Sequence, residues 1–423
     1  MSAPRTGEAL PALTGARWWA AFAVFVLHAL VFLPVYPFQK SALFRTLHGL
    51  FPMQLGAAGV AFFFVLSGFV IAWSFRPGTT VWTFYRRRAL KIYPTHLAAV
   101  AVFVVAAPVP MSRPVTWLPD TLLIQAWVPK WTTVGGLNVP SWSLCSELLF
   151  YLSFPAMLPL IRRIPRARLP RAVAVLLLAM VALHIGLHLW VDGPKGIANT
   201  FAPRLLRGDD SPRFEIHASP QWFAQPDIPI APSYWLGYTF PLVRLPEFYL
   251  GVLAARLVAE GLWRNLRLGP PLAATALAYT ATWWVPVNFK MSVLVVAPMT
   301  AVVATLAARD RAGISGINTT GPLRWLGNIS YAFYLIQFPV MVILTRLLIG
   351  GHRYGVTGWA AYTAATFALS VLAAAALYHC LDQPIMNHFV RRRPQAPPAP
   401  AEAADTEPLD DHRVAGTRGG GAG

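Results

Sequence analysis

Two ionisable side chains lie eleven residues apart in the first apolar stretch of the sequence, which reads RWWAAFAVFVLH from Arg17 to His28. In an α-helix, eleven residues rise about 16 Å and return to nearly the same face. A cation near one membrane surface and an imidazole near mid-bilayer would then lie along one line. Ionisable groups at that depth are costly and rare without a function. The spacing predicts either a general base at His28 or a histidine that hydrogen-bonds to a neighbouring helix.

A carboxylate occurs in a second apolar stretch, WSLCSELLFY, where Glu147 lies about five residues inside the predicted outer end. In a hydrocarbon core of about 30 Å, its predicted depth differs from that of His28 by no more than side chains can bridge. A buried carboxylate beside an imidazole raises the basicity of the histidine, which suits general-base catalysis. The alternative is a structural Glu147 that hydrogen-bonds to Trp142 or Tyr151.

Composition indicates the environment in which these groups work. The chain has 423 residues, of which only 12% are charged, and its mean hydropathy is +0.50. Soluble domains carry about 25% charged residues, so we predict a multi-pass membrane protein surrounded by lipid. The net charge of +18 comes from short basic clusters between apolar runs, which argues against a nucleic-acid partner.

The predicted fold is an all-α transmembrane bundle of about ten spans with both termini cytoplasmic. The apolar stretches lie near 17–35, 54–75, 95–110, 142–161, 172–191, 234–258, 270–287, 291–308, 323–349 and 358–380. Five basic clusters fall on one side under this assignment, as the positive-inside rule requires. The sixth stretch contains Pro246 and is expected to be kinked or split.

We divide the chain into a cytoplasmic arm at 1–15, a membrane domain at 16–390 and a disordered tail at 391–423. The tail has almost no apolar bulk. The longest outer loop, 192–233, is rich in Pro, Gly and Asp. Its length fits either a lid or acceptor-binding surface, or a passive linker.

Several stretches together resemble the acyltransferase-3 family, integral membrane O-acyltransferases that modify sugars of envelope polysaccharides and, in some bacteria, antibiotics. Besides the Arg17–His28 spacing, the resemblance rests on these stretches: GAAGVAFFFVLSGFVI, FYRRRALKIYP, PSWSLCSELLFY, RLPEFYLG and LGNISYAFYLIQFPV. It implies a bacterial inner-membrane enzyme. The implied donor is acyl-CoA, with acetyl-CoA the expected form, and the acceptor is a hydroxyl of a carbohydrate or glycosylated metabolite. No metal is expected.

The resemblance also implies roles for the basic residues. Arg88 and Lys91 of FYRRRALKIYP, a stretch that we expect in a cytoplasmic loop, correspond to the family's pair that engages coenzyme A; Arg17 would help to steer its phosphates. Lys91 stands where the family usually has Arg, and so lacks the bidentate fork. Gln337 stands where many members carry a second histidine, and Asp382 stands where Glu is common.

A further set of residues is expected to contact the substrate: Ser67, Trp142, Arg244, Glu247, Ser330 and Tyr331. Simple packing is an alternative for Ser67, which precedes a glycine. Mutual neutralisation is the alternative for Arg244 and Glu247, which are spaced i, i+3. Because neither an activated serine nor an activated cysteine is evident, we expect direct transfer; Cys145 suits an apolar filler better than a nucleophile.

The competing function is a proton-coupled transporter of a small solute, since intramembrane His, Glu and Arg can form a proton path. The sequence contains no internal repeat of the kind found in transporters. His184 and His188 share a helical face and could in principle hold a metal, but no carboxylate lies near them in the sequence.

Overall fold

The computed structural model describes residues 9–33, 37–50, 53–107, 109, 111–191, 230–345, 347 and 354–390. Within these ranges the chain is helical apart from turns and one isolated bridge between Pro37 and Tyr354. The longer helices are α1 Pro11–Phe32, α2 Ala42–Leu50, α3 Met53–Ser74, α4 Val81–Ala106, α5 Pro114–Thr121, α6 Trp142–Arg163, α7 Leu169–Trp190, α8 Leu245–Ala259, α9 Gly269–Ala281, α10 Val293–Arg311, α11 Gly321–Leu344 and α12 Val356–Leu377.

Eight of the described helical segments are long and apolar enough to cross a membrane. This confirms the predicted all-α bundle of a multi-pass membrane protein. The two remaining predicted spans contain shorter helices, α8 with 15 residues and α9 with 13. Ahead of α8 the backbone passes through a π turn at Trp235–Thr239 and a 3-10 turn at Pro241–Arg244, so the prediction of a split sixth span is confirmed.

The basic stretch FYRRRALKIYP is helical, and its prediction as a loop is wrong. It forms the first half of α4, whose start is capped by Thr80, because the Thr80 hydroxyl accepts a hydrogen bond from the Thr83 amide at 3.2 Å. A helix of 26 residues is about 39 Å long and exceeds a hydrocarbon core of about 30 Å. Its first turns can therefore carry charge, and the helix brings Arg88 and Lys91 onto one face.

The first helix begins earlier than predicted, at Pro11. The carboxylate of Asp310, at the end of α10, accepts the Ala12 amide at 3.0 and 3.1 Å and so occupies one of the free donors at the start of α1. Most of the predicted arm (1–8), most of the long loop (192–229) and the tail (391–423) lie outside the described residues.

Helices α1, α3, α8 and α11 form the centre of the bundle, and α3 and α8 cross closely. A Cβ atom added at Gly68 would lie 1.9 Å from the carbonyl oxygen of Phe248, and one added at Gly251 would lie 1.9 Å from that of Val65. The two glycines therefore let the two backbones touch, as small residues do in membrane bundles. The glycine beside Ser67 serves packing.

The orientation of the bundle can be tested with reporter fusions. If both termini are cytoplasmic, reporters at positions 80, 166 and 395 should share one side, and a reporter at 215 should report the other, because the basic clusters accompany the first three. Protease accessibility in inverted vesicles provides an independent measurement. A reporter at 215 on the same side as the one at 166 would contradict the assignment.

Candidate active site

A cavity of about 130 Å³ lies at the centre of the bundle, between α1, α3, α4, α6 and α11. It brings together seven of the site residues predicted from the sequence. These are Arg17, Ser67, Arg88, Lys91, Glu147, Ser330 and Tyr331. We call it the charged cavity, because three cations and one carboxylate face it.

The carboxylate is held by its own helix. Tyr151, one turn after Glu147 on α6, donates its hydroxyl to Glu147 Oε1 at 2.9 Å, and its oxygen lies 3.4 Å from Ser67 Oγ. The hydrogen bond to Tyr151 that the structural alternative for Glu147 required is therefore present. Ser67 therefore has a polar neighbour, the Tyr151 hydroxyl, in the charged cavity. The contact between α3 and α8 is made by the adjacent Gly68.

The two basic residues of α4 that line the charged cavity have different surroundings. The Arg88 guanidinium lies 5.6 Å from the ring centroid of Phe84 and 5.7 Å from that of Tyr151, and its Nε has no hydrogen-bond partner within the described part of the chain. Lys91 Nζ donates to Asp382 Oδ2 and lies 5.4 Å from the ring centroid of Tyr331. Arg88 retains donors for a ligand, whereas Lys91 is partly neutralised.

Arg17 reaches the charged cavity from the first turns of α1. It interacts electrostatically with Tyr151, Glu147 and Arg88. Its guanidinium makes no hydrogen bond or ion pair within the residues that the structure describes. Among the described residues that line the cavity, Glu147 is the one acid, so the lining has a net positive charge that suits an anionic ligand.

His28 lies apart from this cluster. It is 7% exposed, it is not among the residues that line the charged cavity, and its ring packs edge-on against Phe32 and Phe338. Its Nδ1 has no hydrogen-bond partner among the described residues. The expected placement of Glu147 beside the His28 imidazole is not found among the described residues, because Glu147 faces Tyr151 and the basic residues.

The predicted substrate residues Trp142, Arg244 and Glu247 belong to a second buried cluster. Arg244 Nη1 lies 2.8 Å from Glu247 Oε1 and donates to Ser292 Oγ at 2.8 Å, with both charged side chains fully buried. The ring of Tyr238 lies 4.8 Å from that of Trp142 and 5.0 Å from the Arg244 guanidinium. Mutual neutralisation of Arg244 and Glu247 is confirmed, and none of the three predicted residues lines the charged cavity.

Several polar groups are occupied by the helices themselves. Ser330 Oγ donates to the Gly327 carbonyl at 2.8 Å, and the Tyr331 hydroxyl donates to the Ile92 carbonyl at 3.0 Å. Cys145 is 1% exposed and lies beside Gln125, as expected of an apolar filler. The two ring nitrogens of His184 lie 2.9 and 3.2 Å from backbone carbonyl oxygens, so that either can donate an N–H there, and the described residues contain no His, Cys, Asp or Glu cluster of metal-ligand type.

One supporting network was not predicted. The Asp120 carboxylate accepts the Leu137 and Asn138 amides at 2.7 and 2.8 Å and the Ser141 hydroxyl at 2.7 Å. Burial raises the pKa of Asp120, and these donors oppose that shift. Since Ser141 directly precedes α6, the network holds the start of the helix that carries Glu147. An isolated acid between apolar segments gave no periodic signal that could have identified it.

A positively charged cavity inside an apolar helical bundle defines a multi-pass membrane protein with a buried candidate site. The profile of the acyltransferase-3 family, described as an acyltransferase domain, matches residues 10–378. The chain belongs to this family, and it is an acyltransferase that transfers groups other than aminoacyl groups. The predicted resemblance is confirmed, and membership in an enzyme family sets aside the transporter alternative.

Three relatives extend the match. The chain is 35% identical to Acyltransferase MdmB of Streptomyces mycarofaciens over 417 residues, which cover 94% of this chain and 97% of the relative. It is 26% identical to Nodulation protein 10 of Rhizobium leguminosarum bv. viciae, covering 80% and 84%. It is 27% identical to Exopolysaccharide production protein ExoZ of Rhizobium meliloti (strain 1021), covering 80% and 92%. No solved structure matches the chain.

Proposed function

We propose that the protein moves an acyl group, acetyl in the first instance, from acyl-CoA to a hydroxyl of a carbohydrate or glycosylated metabolite at a bacterial inner membrane. The observation that carries this proposal is the set of three cations, Arg17, Arg88 and Lys91, around one cavity. Phosphate groups are the ligands that such a set binds best, with Arg able to bind through two donors. The acyl carrier coenzyme A supplies them.

The spacing along α1 supports the same donor. His28 lies about 16 Å beyond Arg17 on nearly the same helix face. The pantetheine arm of coenzyme A has roughly the length of four extended peptide units, about 14 Å, between its phosphate and its sulfur. A pyrophosphate at Arg17 thus brings the thioester within a side chain's length of His28.

The proposed reaction is direct transfer. His28 accepts the proton of the acceptor hydroxyl as its oxygen attacks the thioester carbonyl carbon; a C–O bond forms and the C–S bond breaks. The proton then passes from His28 to the thiolate of coenzyme A. Glu147 acts on the basic residues and not on the imidazole: its carboxylate, held by Tyr151, attracts the guanidinium groups of Arg17 and Arg88.

A carbohydrate acceptor fits the family resemblance and the exopolysaccharide production named for one relative. Mass spectrometry of glycans and secondary metabolites should reveal a compound that carries an acyl group in the wild-type strain and lacks it in a deletion strain. The purified protein should restore that group with radiolabelled acetyl-CoA. The proposal fails if no product changes and the purified protein consumes no acyl-CoA in the presence of cell extract.

The basic residues of α4 allow a specific kinetic prediction. Arg88→Ala and Lys91→Ala should each raise the KM for acyl-CoA about 10- to 100-fold, because a charge-assisted contact contributes about 1.5–3 kcal/mol. Steady-state kinetics at varied acyl-CoA concentration measure the effect. Arg86→Ala is the matched control, since Arg86 is exposed and does not line the charged cavity. An unchanged KM in both variants would mean that the cluster serves only membrane orientation.

A further inference from the structure

A second cavity of about 260 Å³ lies where α1 begins and α3 ends, on the predicted cytoplasmic side of the bundle. Its walls are formed by residues of these two helices and the position just before α1. They are Leu10, Leu13, Thr14, Arg17, Val70, Trp73 and Ser74. We call it the α1–α3 cavity.

The α1–α3 cavity adjoins the charged cavity. Arg17 and Val70 line both of them, so the Arg17 guanidinium stands at the boundary. A ligand bound through phosphate at Arg17 would therefore extend one end into each cavity. One end would point toward Glu147, and the other would point toward the surface.

The chemistry of the α1–α3 cavity suits a flat, polar-edged group. Leu13, Val70 and the ring of Trp73 provide apolar surface. The Thr14 and Ser74 hydroxyls donate to carbonyls of their own helices, at 3.3 and 3.5 Å, and so keep lone pairs to accept hydrogen bonds. A purine offers apolar faces together with an amino donor at its edge.

The charge around the α1–α3 cavity is also positive. The Arg311 guanidinium lies 5.8 Å from the ring centroid of Trp73, which lines the cavity, and exposed Arg76 follows Ser74 by two residues. The nearby acid Asp310 is engaged by the Ala12 amide at the start of α1. The surroundings therefore favour a group that carries phosphate.

We propose that the α1–α3 cavity binds the adenine nucleotide end of the acyl donor, with Arg17 on the pyrophosphate. This inference rests on the proposed function, in which the donor is acyl-CoA. Successive residues of α1 then contact successive parts of one ligand. Thr14 contacts the nucleoside, Arg17 contacts the pyrophosphate, and His28 contacts the thioester. The donor would lie along the helix from its first turn to its last.

The test compares acetyl-CoA with acetyl-pantetheine, which keeps the arm and thioester but lacks the nucleotide. Thr14→Phe and Ser74→Phe fill the cavity from opposite walls. Each should raise the KM for acetyl-CoA at least about tenfold while the KM for acetyl-pantetheine changes less than about twofold. Thr280→Phe is the matched control, since Thr280 is exposed on α9 and lines neither cavity.

The outcomes separate this inference from the proposed function. Suppose that wild type transfers acyl groups, but that in both filled variants the KM values for acetyl-CoA and acetyl-pantetheine rise equally or do not rise. The nucleotide then does not occupy the α1–α3 cavity, and only the inference fails. If wild type uses neither donor, the proposed function fails and the inference fails with it.

Discussion

Replacement of His28 by glutamine should reduce acyl transfer by about 10²–10⁴-fold, because an amide can accept a hydrogen bond but cannot take a proton. This loss corresponds to about 3–5.5 kcal/mol of transition-state stabilisation at 1.36 kcal/mol per decade. Most of it should appear in kcat, since His28 does not line the cavity proposed for the donor phosphates. Initial rates at saturating acyl-CoA measure it.

The same substitution should leave the fold intact. His28 Nδ1 has no hydrogen-bond partner among the described residues, so replacing the imidazole with glutamine breaks no hydrogen bond at that atom. Protein yield and Tm should stay near those of wild type. His188→Gln serves as the control, because His188 is exposed on α7 and should keep full activity. If His28→Gln keeps more than about a tenth of wild-type turnover, the base must be sought elsewhere, first at Glu147.

Much of the site could be predicted from helical spacing and the cost of buried charge. Arg17 and Glu147 are identifiable because each is ionisable and lies in an apolar stretch, where such residues are rare, whereas Arg88 and Lys91 are singled out from their basic cluster by the family resemblance. They converge on one cavity because a bundle buries its polar faces together. The family resemblance added the donor, which charge and spacing alone do not specify.

The pairing of His28 with Glu147 could not be predicted reliably, because sequence gives depth along a helix and not the direction in which a neighbouring helix faces. Both residues lie in the outer half of their predicted spans. Glu147 nevertheless turns toward Arg17 and Arg88, while His28 packs against Phe338. The hydrogen bond to Tyr151, four residues on, was the local alternative, and helix geometry favours it.

Helix α4 starts earlier than predicted, because a high density of charge does not by itself indicate a loop. Arg and Lys are good helix formers, and a helix longer than the hydrocarbon core keeps them in its outermost turns. A loop prediction also gives no common direction for Arg88 and Lys91. Residues three apart in a loop need not face one way, whereas Arg88 and Lys91 in α4 both face the charged cavity.

Adding one methyl group at Gly251 should damage the protein more than any comparable change on the surface. The new Cβ would lie 1.9 Å from the Val65 carbonyl oxygen and 2.8 Å from the Phe69 amide nitrogen. Both atoms are backbone, so no rotamer change can relieve the contact, and α3 and α8 must separate. Overpacking costs about 1–3 kcal/mol when side chains can shift, so we expect a larger loss here.

The effect should reach the site through α3. Ser67 and Val70 line the charged cavity from this helix, within five residues of the contact at Val65, so displacing α3 moves that wall. Gly251→Ala should therefore lower both Tm and transfer activity, measured in detergent by thermal unfolding and donor turnover. Gly68→Ala should do the same, since it faces the Phe248 carbonyl across the same crossing. Gly321→Ala is the control and should be neutral, because no atom lies within 4 Å of the added carbon. Equal Tm values for Gly251→Ala and Gly321→Ala would show that the crossing tolerates a methyl group. The two backbones would then not be in the contact described.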